Sequence, residues 1–209
     1  KVMRPKRLET VRVGATAAFV VGIALGATLA PSFAQQPPGG LPAATRLAMP
    51  GPKHSSLDAL VGEWNVEMKV WPGAGAPPIV SNTLTASREW TLGGRYLREE
   101  LQGTFAGNPS HRIAILSYNN LEDRFQLSTI DTFEPGQMWY ASQGPGADGR
   151  ISMHGESVEA GFGPTPTGRK RSLRFDIEIS KDLSVQRIFA KFPGEPEFLF
   201  VEHRFTLRK

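Results

Sequence analysis

The sequence predicts an all-β protein, a single antiparallel β-barrel of about ten strands with a short N-terminal helix. Three observations support this prediction. Apolar and polar residues alternate at a period of two through most of the chain after Gly62. Residues that favour turns recur about every 8–12 residues. The sequence shows no series of alternating strands and helices, which argues against a parallel sheet.

The first 34 residues have the pattern of a secretory signal peptide. Lys1–Arg12 is strongly basic, and Val13–Ala30 is uncharged and mainly apolar. Ser32 and Ala34 supply small residues on either side of Phe33, as a cut after Ala34 requires. The alternative is an uncleaved anchor, because the uncharged run approaches the ~20 residues that span a bilayer. We expect cleavage, export to the periplasm or outside of a bacterial cell, and no stable membrane insertion afterwards.

The excess positive charge of the chain belongs to this N-terminal segment. The whole chain has 24 Lys and Arg against 20 Asp and Glu. Residues 1–34 hold 5 and 1 of these, which leaves 19 of each sign in the mature protein. The basic isoelectric point is therefore no indication of nucleic-acid binding. The absence of Cys from the sequence excludes disulfides and a lipid-modified cysteine.

The next segment, residues 35–53, is rich in Pro, Gly and Ala and predicts a disordered linker. Residues 54–209 remain for the barrel domain, a length that suits one hydrophobic core. Within them, Ser55–Val61 predicts a short helix that begins with a Ser cap and ends at Gly62. We expect this helix to close one end of the barrel.

The stretch Leu84–Gly103 predicts a hairpin, with Gly93 and Gly94 supplying the positive φ angles of a tight turn. Counting outward from this turn predicts which residues face each other. The predicted pairs are Leu92 with Arg95, Trp90 with Leu97, Glu89 with Arg98, Arg88 with Glu99, and Ala86 with Leu101. Since side chains alternate along a strand, Arg88 and Glu99 share one mainly apolar face.

A second hairpin is predicted from Arg112–Tyr118 and Arg124–Thr132. In this hairpin we expect Asp131 to lie at the end of an apolar row and to share its face with Ile113 and Ile115. Asp131 is then either a strand-end residue that bonds the following turn or an acid at the mouth of a pocket.

The last strands show the clearest alternation. A four-residue turn at Lys181–Ser184 predicts three pairs on the inner face and one exposed ion pair. These pairs are Ile177 with Ile188, Phe175 with Ala190, Leu173 with Phe192, and Glu178 with Arg187. The final strand places His203 between Val201 and Phe205 on its inner face. Three interpretations of His203 are open, in this order of preference: a hydrogen-bonded core residue, a ligand contact, and a haem or metal ligand.

Two patterns carry a family resemblance. Gly62-Glu63-Trp64 resembles the Gly-x-Trp start of the lipocalin and calycin barrels. In those proteins the Trp closes one barrel end beside an Arg, a part that Arg204 or Arg208 could take here. The ordered segments LVGEWNVE, REWTLGGRYLREE, YNNLEDRF, STIDT, MHGE and VEHRFTLRK resemble a bacterial family of unknown function, number 1579, over Leu57–Lys209. This resemblance implies a lipocalin-like barrel and no catalytic residue.

The inward pair Arg88 and Glu99 is the sharpest chemical feature, because an ion pair in an apolar interior is costly to desolvate. The pair is either a structural clasp or the polar anchor of a ligand with an anionic head. With Arg88 as anchor, the apolar walls are expected to be Met68, Trp90, Leu101, Phe175 and Ile177. The predicted ligand-binding residues are thus Arg88, Glu99, Trp90, Asp131 and His203.

The sequence supports no particular reaction. The four histidines show no metal-binding spacing, and no nucleophile or phosphate-binding motif is present. We therefore expect no cofactor and no metal. The first hypothesis is that the barrel binds a small hydrophobic molecule with a polar or anionic head. The alternatives are an interaction or structural domain with a filled barrel, and a hydrolase or isomerase that uses Asp131 or His203.

Overall fold

The computed structural model describes residues 40–147 and 149–209. The predicted signal peptide lies outside these residues. The N-terminal part contains α1 (Ala43–Leu47), α2 (Pro52–Ser55) and a 3₁₀ helix (Asp58–Leu60). The strands are β1 (Gly62–Val70), β2 (Ile79–Thr91), β3 (Tyr96–Phe105), β4 (Asn108–Asn119), β5 (Arg124–Asp131), β6 (Met138–Ala141), β7 (Arg150–Val158), β8 (Lys170–Ile179), β9 (Leu183–Lys191) and β10 (Phe198–Leu207).

The ten strands form one closed antiparallel barrel, which confirms the predicted fold class. Each strand pairs with its neighbours along the chain, and β1 pairs with β10 to close the sheet. The ladder between β1 and β10 runs from Trp64 opposite Leu207 to Val70 opposite Val201. Closure satisfies the backbone groups that an open sheet leaves at its edges.

The predicted pairing of β2 with β3 is confirmed. Arg88 lies opposite Glu99, and Trp90 lies opposite Leu97. The ladder ends one pair before the predicted Leu92–Arg95 pair, because residues 92–95 form the turn itself. Leu92, like Gly93 and Gly94, has a positive φ angle, and its side chain is exposed.

The pairing of β4 with β5 corrects which residues of β4 share the face of Asp131. Asp131 lies opposite Arg112, and a four-residue turn connects Asn119 to its partner Arg124. A loop with an even number of residues places even-numbered residues of β4 opposite odd-numbered residues of β5. The expectation that Ile113 and Ile115 share the face of Asp131 is therefore wrong, since both lie on the outer face.

The pairing of β8 with β9 differs from the prediction by two residues. Ile177 lies opposite Gln186 and Phe175 opposite Ile188, because the turn is tighter than Lys181–Ser184. At this turn the backbone N–H of Ser180 donates to the carbonyl of Leu183 at 2.9 Å.

A shift of two residues leaves every β8 and β9 side chain on its predicted face. Glu178 lies opposite Val185 rather than Arg187. Arg187 nevertheless reaches Glu178 diagonally, with Nη1 3.0 Å from Oε1.

The segment before β1 closes one end of the barrel, as expected for the predicted helix, but its structure differs. The single helix predicted at Ser55–Val61 is replaced by α2 and the 3₁₀ helix. Leu57 and Leu60 are fully buried and pack against residues of β3, β4 and β5. The Trp64 indole N–H donates to the carbonyl of Leu60 at 3.0 Å, which ties β1 to this closure.

The described part of the predicted linker contains α1 and contacts the turn after β4. The side-chain amide of Asn120 donates to the carbonyls of Leu47 and Met49 at 2.9 and 2.8 Å. The disorder of residues 35–53 stays a prediction. In the described part of the chain, no helix is long and apolar enough to cross a membrane.

Candidate functional site

A cavity of about 330 Å³ lies inside the barrel, at the end opposite the N-terminal closure. Its wall comes from the last residues of β1, β3, β5 and β9 and the first residues of β2, β4, β6, β8 and β10. The apolar lining includes Met68, Val70, Leu101, Phe105, Met138, Leu173, Phe175, Ile188, Phe200 and Val201. The polar lining includes Ser110, Arg112, Thr129, Asp131, Glu134, Tyr140, Glu159, Arg171 and His203.

A second, shallower groove of about 530 Å³ runs along residues 156–158, 170–172 and 191–193. It is more open to solvent than the interior cavity, and most of its polar side chains are exposed. The interior cavity instead combines apolar walls with several buried polar groups, which is the usual character of a small-molecule site. We therefore take the interior cavity as the candidate site.

The floor of the cavity is a buried cluster of two arginines and one glutamate. Arg88 Nε donates to Glu99 Oε2 at 2.7 Å, and Arg112 Nη2 donates to Glu99 Oε1. Arg112 Nη2 also donates to Gln186 Oε1 at 2.9 Å. Glu99 therefore binds both guanidinium groups at once, and only Arg112 of the three lines the cavity.

Arg88 is enclosed by aromatic rings beneath the cavity. Its guanidinium carbon lies 3.7 Å from the ring centre of Phe205 and 5.3 Å from that of Trp64. The arginine beside the tryptophan of the Gly-x-Trp segment is therefore Arg88 of β2. The expectation that Arg204 or Arg208 takes this place is wrong, because both side chains are exposed.

Two nitrogen atoms of side chains that line the cavity are buried without a hydrogen-bond partner among residues 40–147 and 149–209, in addition to Nη1 and Nη2 of Arg88 beneath the cavity. The two atoms are Nε of Arg112 and Nδ1 of His203. Both side chains are more than nine-tenths buried, and both line the cavity. Since buried polar groups are nearly always hydrogen-bonded, these atoms mark the floor as a place for a polar group of a ligand or for water.

The charges of the floor shift the pKa values of its residues. Burial alone would raise the pKa of Glu99, but Arg112 and Arg88 lower it to about 2. Burial lowers the pKa of His203 well below its ordinary value, and the two arginines lower it further. At neutral pH Glu99 is thus ionised and His203 is uncharged.

The mouth of the cavity holds a second ion pair. Arg171 Nη2 donates to Glu134 Oε1, and Arg171 Nε donates to Ser157 Oγ, each at 2.8 Å. Burial raises the pKa of Glu134 and outweighs the opposing effect of Arg171. Tyr140 also lines the cavity, and burial and Glu134 raise the pKa of its hydroxyl.

The structure separates the five predicted ligand-binding residues. Asp131 and His203 line the cavity, whereas Arg88 and Glu99 lie beneath it. Trp90 lies at the closed end, where its indole N–H donates to Asp58 Oδ1 at 2.8 Å. Of the predicted walls, Met68, Leu101 and Phe175 contribute to the lining, whereas Trp90 and Ile177 do not.

Asp131 also has the strand-end role considered in the sequence analysis. Its Oδ1 accepts hydrogen bonds from the backbone N–H groups of Phe133 and Glu134 at 2.8 and 2.9 Å. These bonds order the turn between β5 and β6 at the mouth of the cavity.

Sequence reasoning missed Arg112, Gln186 and the Arg171–Glu134 pair. The correct pairing of β4 with β5 would have identified Arg112, because that pairing places Arg112 on the same face as Thr129 and Asp131. Within the described ranges, no group of three or more His, Asp or Glu side chains is arranged to hold a metal ion.

The buried histidine predicts a loss of stability in mild acid. The pKa of His203 is lower in the folded protein than in the unfolded chain. The contribution of His203 to stability is therefore complete above the unfolded-state pKa of ~6.5 and is lost as the pH falls below that value. We expect the unfolding free energy to decrease from pH 7 to pH 5, by up to ~1.4 kcal/mol per pH unit for this group. Urea unfolding of His203→Gln should show a shallower pH dependence.

A matched control is His154→Gln, which changes an exposed histidine of β7. His54 is also buried, and burial lowers its pKa, so some pH dependence should remain in His203→Gln. Equal pH slopes in the wild type and His203→Gln would contradict the assignment.

Comparison with known proteins places this barrel in a family. No curated protein matches the chain. Among solved structures, the crystal structure of Rv2717c from M. tuberculosis is similar in fold, with a TM-score of 0.54 and 14% sequence identity. The similarity covers 76% of this chain and 99% of that one. The family model of the protein of unknown function DUF1579 matches residues 49–206, and the chain therefore belongs to the DUF1579 family.

Proposed function

We propose that this protein reversibly binds a small, largely apolar molecule with a polar or anionic head, in the manner of a lipocalin-like carrier. The observation that carries the proposal is the cavity of about 330 Å³, which is enclosed by the barrel and lined mainly by apolar side chains. Ligand pockets typically have volumes of ~300–1,000 Å³ and a few well-placed polar groups. The cavity is at the small end of this range.

Arg112 replaces Arg88 as the candidate anchor for the head group. Arg88 is held between Glu99 and two aromatic rings beneath the cavity. Arg112 lines the cavity, and its Nε is buried without a hydrogen-bond partner in the described part of the chain; Nη1 and Nη2 of Arg88 also have none there, but Arg88 does not line the cavity. A guanidinium group binds carboxylates and phosphates in well-defined geometry, which suits an anchoring role.

The cavity favours this function over the two alternatives. A barrel filled by its own side chains would leave no space of this volume. An acid–base reaction would need two groups placed to act on one substrate. Asp131 and His203 line the same cavity, but Oδ1 of Asp131 bonds the turn backbone, and the pKa of His203 is so far below its ordinary value that the imidazole is a weak base.

Export remains part of the proposal. The basic, apolar and small-residue regions of Lys1–Ala34 support cleavage after Ala34 and release into the periplasm or beyond the cell. Mass spectrometry of the protein recovered from a bacterial host should give a chain that begins at Gln35. A protein that retains residues 1–34 in the membrane fraction would contradict export as a free carrier.

Filling the cavity should weaken binding at least tenfold. Thr129 lies on the inner face of β5, and Thr129→Phe places a ring in the cavity. Titration calorimetry with octanoate and with 1-octanol should show at least a tenfold weaker affinity of this variant for whichever of the two the wild type binds.

The matched control is Ser128→Phe, which adds the same side chain one residue earlier, on the outer face of the same strand. Its affinity should remain within about twofold of the wild type. Unchanged binding by a folded Thr129→Phe variant would place the ligand outside the cavity.

A further inference from the structure

We infer that the cavity selects a monoanion. The carboxylate of the ligand binds Arg112 at the floor, and its apolar tail extends towards the mouth. This inference rests on the proposed function and specifies the ligand class of the same site. It follows from the charge of the floor, the charge of the mouth and the size of the cavity, which are considered in turn.

The buried floor carries one more positive charge than negative. Two guanidinium groups, Arg88 and Arg112, share the single carboxylate of Glu99. His203 adds no charge at neutral pH, because burial lowers its pKa well below its ordinary value. An uncompensated charge in a buried site is unfavourable, so a bound monoanion would neutralise the cluster. A neutral head would leave the excess charge, and a cationic head would double it.

The mouth has the opposite balance. Asp131, Glu134 and Glu159 line it together with Arg171, which is already paired with Glu134. Arg171 is also stacked on Phe200, with its guanidinium carbon 4.6 Å from the ring centre. An anionic head is therefore favoured at the floor and disfavoured at the mouth, which fixes the direction in which the ligand lies.

Asp131 does not neutralise the floor, although it lies opposite Arg112 in the sheet. Its Oδ1 accepts two backbone hydrogen bonds from the turn after β5, and the residue is partly exposed. No contact within 4.0 Å joins its carboxylate to Arg112 in the described part of the chain.

The volume of the cavity limits the part of the ligand that it encloses. At ~30 Å³ for each water-sized unit, a cavity of about 330 Å³ holds about eleven non-hydrogen atoms. Octanoate has about this size, and longer chains would extend through the mouth past Phe133 and Phe162. A short or medium-chain monocarboxylate therefore fits the site with its head buried.

The test compares three probes that share an eight-carbon chain: octanoate, 1-octanol and octylamine. Titration calorimetry on the full chain at pH 7.4 should show octanoate binding at least tenfold more tightly than either of the others. Arg112→Met should remove this preference while leaving the weak affinity for 1-octanol within about threefold. Arg98→Met, which removes an arginine from the outer face of β3, should retain the preference.

The outcomes separate the two proposals. Equal affinity for octanoate and 1-octanol would overturn the selection of a monoanion and leave the proposed carrier function in place; binding of none of the three would overturn both. If Arg112→Met does not fold, Arg112→Lys provides the test, because it keeps the charge but loses the planar fork. This variant should bind octanoate more weakly and should retain its affinity for 1-octanol. An unchanged affinity for octanoate would contradict the role of Arg112.

The direction of the ligand has its own test. 8-Hydroxyoctanoate carries a polar group at the tail, which would lie in water at the mouth if the carboxylate is at the floor. Its affinity should be within about threefold of that of octanoate, whereas methyl octanoate should bind at least tenfold more weakly. The reverse order would show that the head lies at the mouth.

Discussion

Glu99→Gln should destabilise the protein by about 3–5 kcal/mol, the range found when one partner of a buried ion pair is removed. The change keeps the size of the side chain but leaves two buried guanidinium groups, Arg88 and Arg112, without a counter-charge. Both approach the Glu99 carboxylate within ion-pair distance, and all three side chains are at least nine-tenths buried. Urea unfolding at pH 7 measures the change.

The control for this prediction is Glu89→Gln in the same hairpin. Glu89 is exposed and lies 3.6 Å from Arg98 in a surface ion pair, so its replacement should cost less than about 1 kcal/mol. The stability of the wild-type protein in acid gives a second test. The pKa of Glu99 is about 2, so its contribution is present above the unfolded value of ~4.3 and is lost as pH falls towards 2. Similar stabilities of the two variants at pH 7 would show that the cluster is not a buried clasp.

Gly103→Ala should destabilise the barrel by about 3 kcal/mol or more, through two effects at one residue. Gly103 in β3 has a φ angle of 152°, which side chains rarely adopt. A Cβ atom there would lie 2.6 Å from the carbonyl oxygen of Thr83 and 2.9 Å from Cα of Leu84. Because these atoms belong to the backbone of β2, the strands would have to separate. Thermal and urea unfolding should both report the loss.

Substitutions at two other glycines distinguish the steric clash of the added Cβ from the backbone strain. Gly107 has a φ angle of 79°, but no atom of the described residues lies within 4 Å of an added Cβ, so Gly107→Ala should cost about 1–2 kcal/mol through backbone strain alone. Gly73 has neither constraint, and Gly73→Ala should be neutral or slightly stabilising. A Gly103→Ala variant no less stable than Gly107→Ala would mean that β2 and β3 accommodate the methyl group.

The sequence predicted the local part of the fold well. The pairing of β2 with β3 follows from two adjacent glycines, which locate the turn, and from a strict alternation, which places Trp90, Leu97 and Leu101 on the same face. The face of each residue in β8 and β9 was also correct, because a two-residue shift preserves the alternation. The number of strands and the class of fold depend on such local patterns.

The errors arose where the length of a turn decides the outcome. The turn at residues 120–123 has four residues, whereas the predicted turn had an odd number. This difference exchanges the inner and outer faces of β4, so that Arg112 lies on the inner face and Ile113 on the outer face. Asn119 and Asn120 stabilise this turn with side-chain hydrogen bonds, one set of which reaches the N-terminal segment. Those contacts join residues far apart in sequence, and local alternation does not contain them.

The candidate site was predicted only in part for the same reason. Glu99 was correctly paired with Arg88, but its second partner comes from β4, and Gln186 comes from β9. A cluster that draws on four strands depends on how the whole sheet closes. His203 and Asp131 were found because each interrupts an apolar row in its own strand, which is a local signal.

The pairing of β1 with β10 has a consequence for how the chain acquires its structure. The first strand finds one of its two neighbours only when the last strand is available, so a growing chain cannot complete the barrel until Leu207 has been synthesised. Until then β1 and β9 are unpaired edges, which are open to association with other chains. Contacts of such long sequence separation also slow folding. A chain that ends before β10 would therefore remain an open sheet prone to aggregation, even though most of its residues are present.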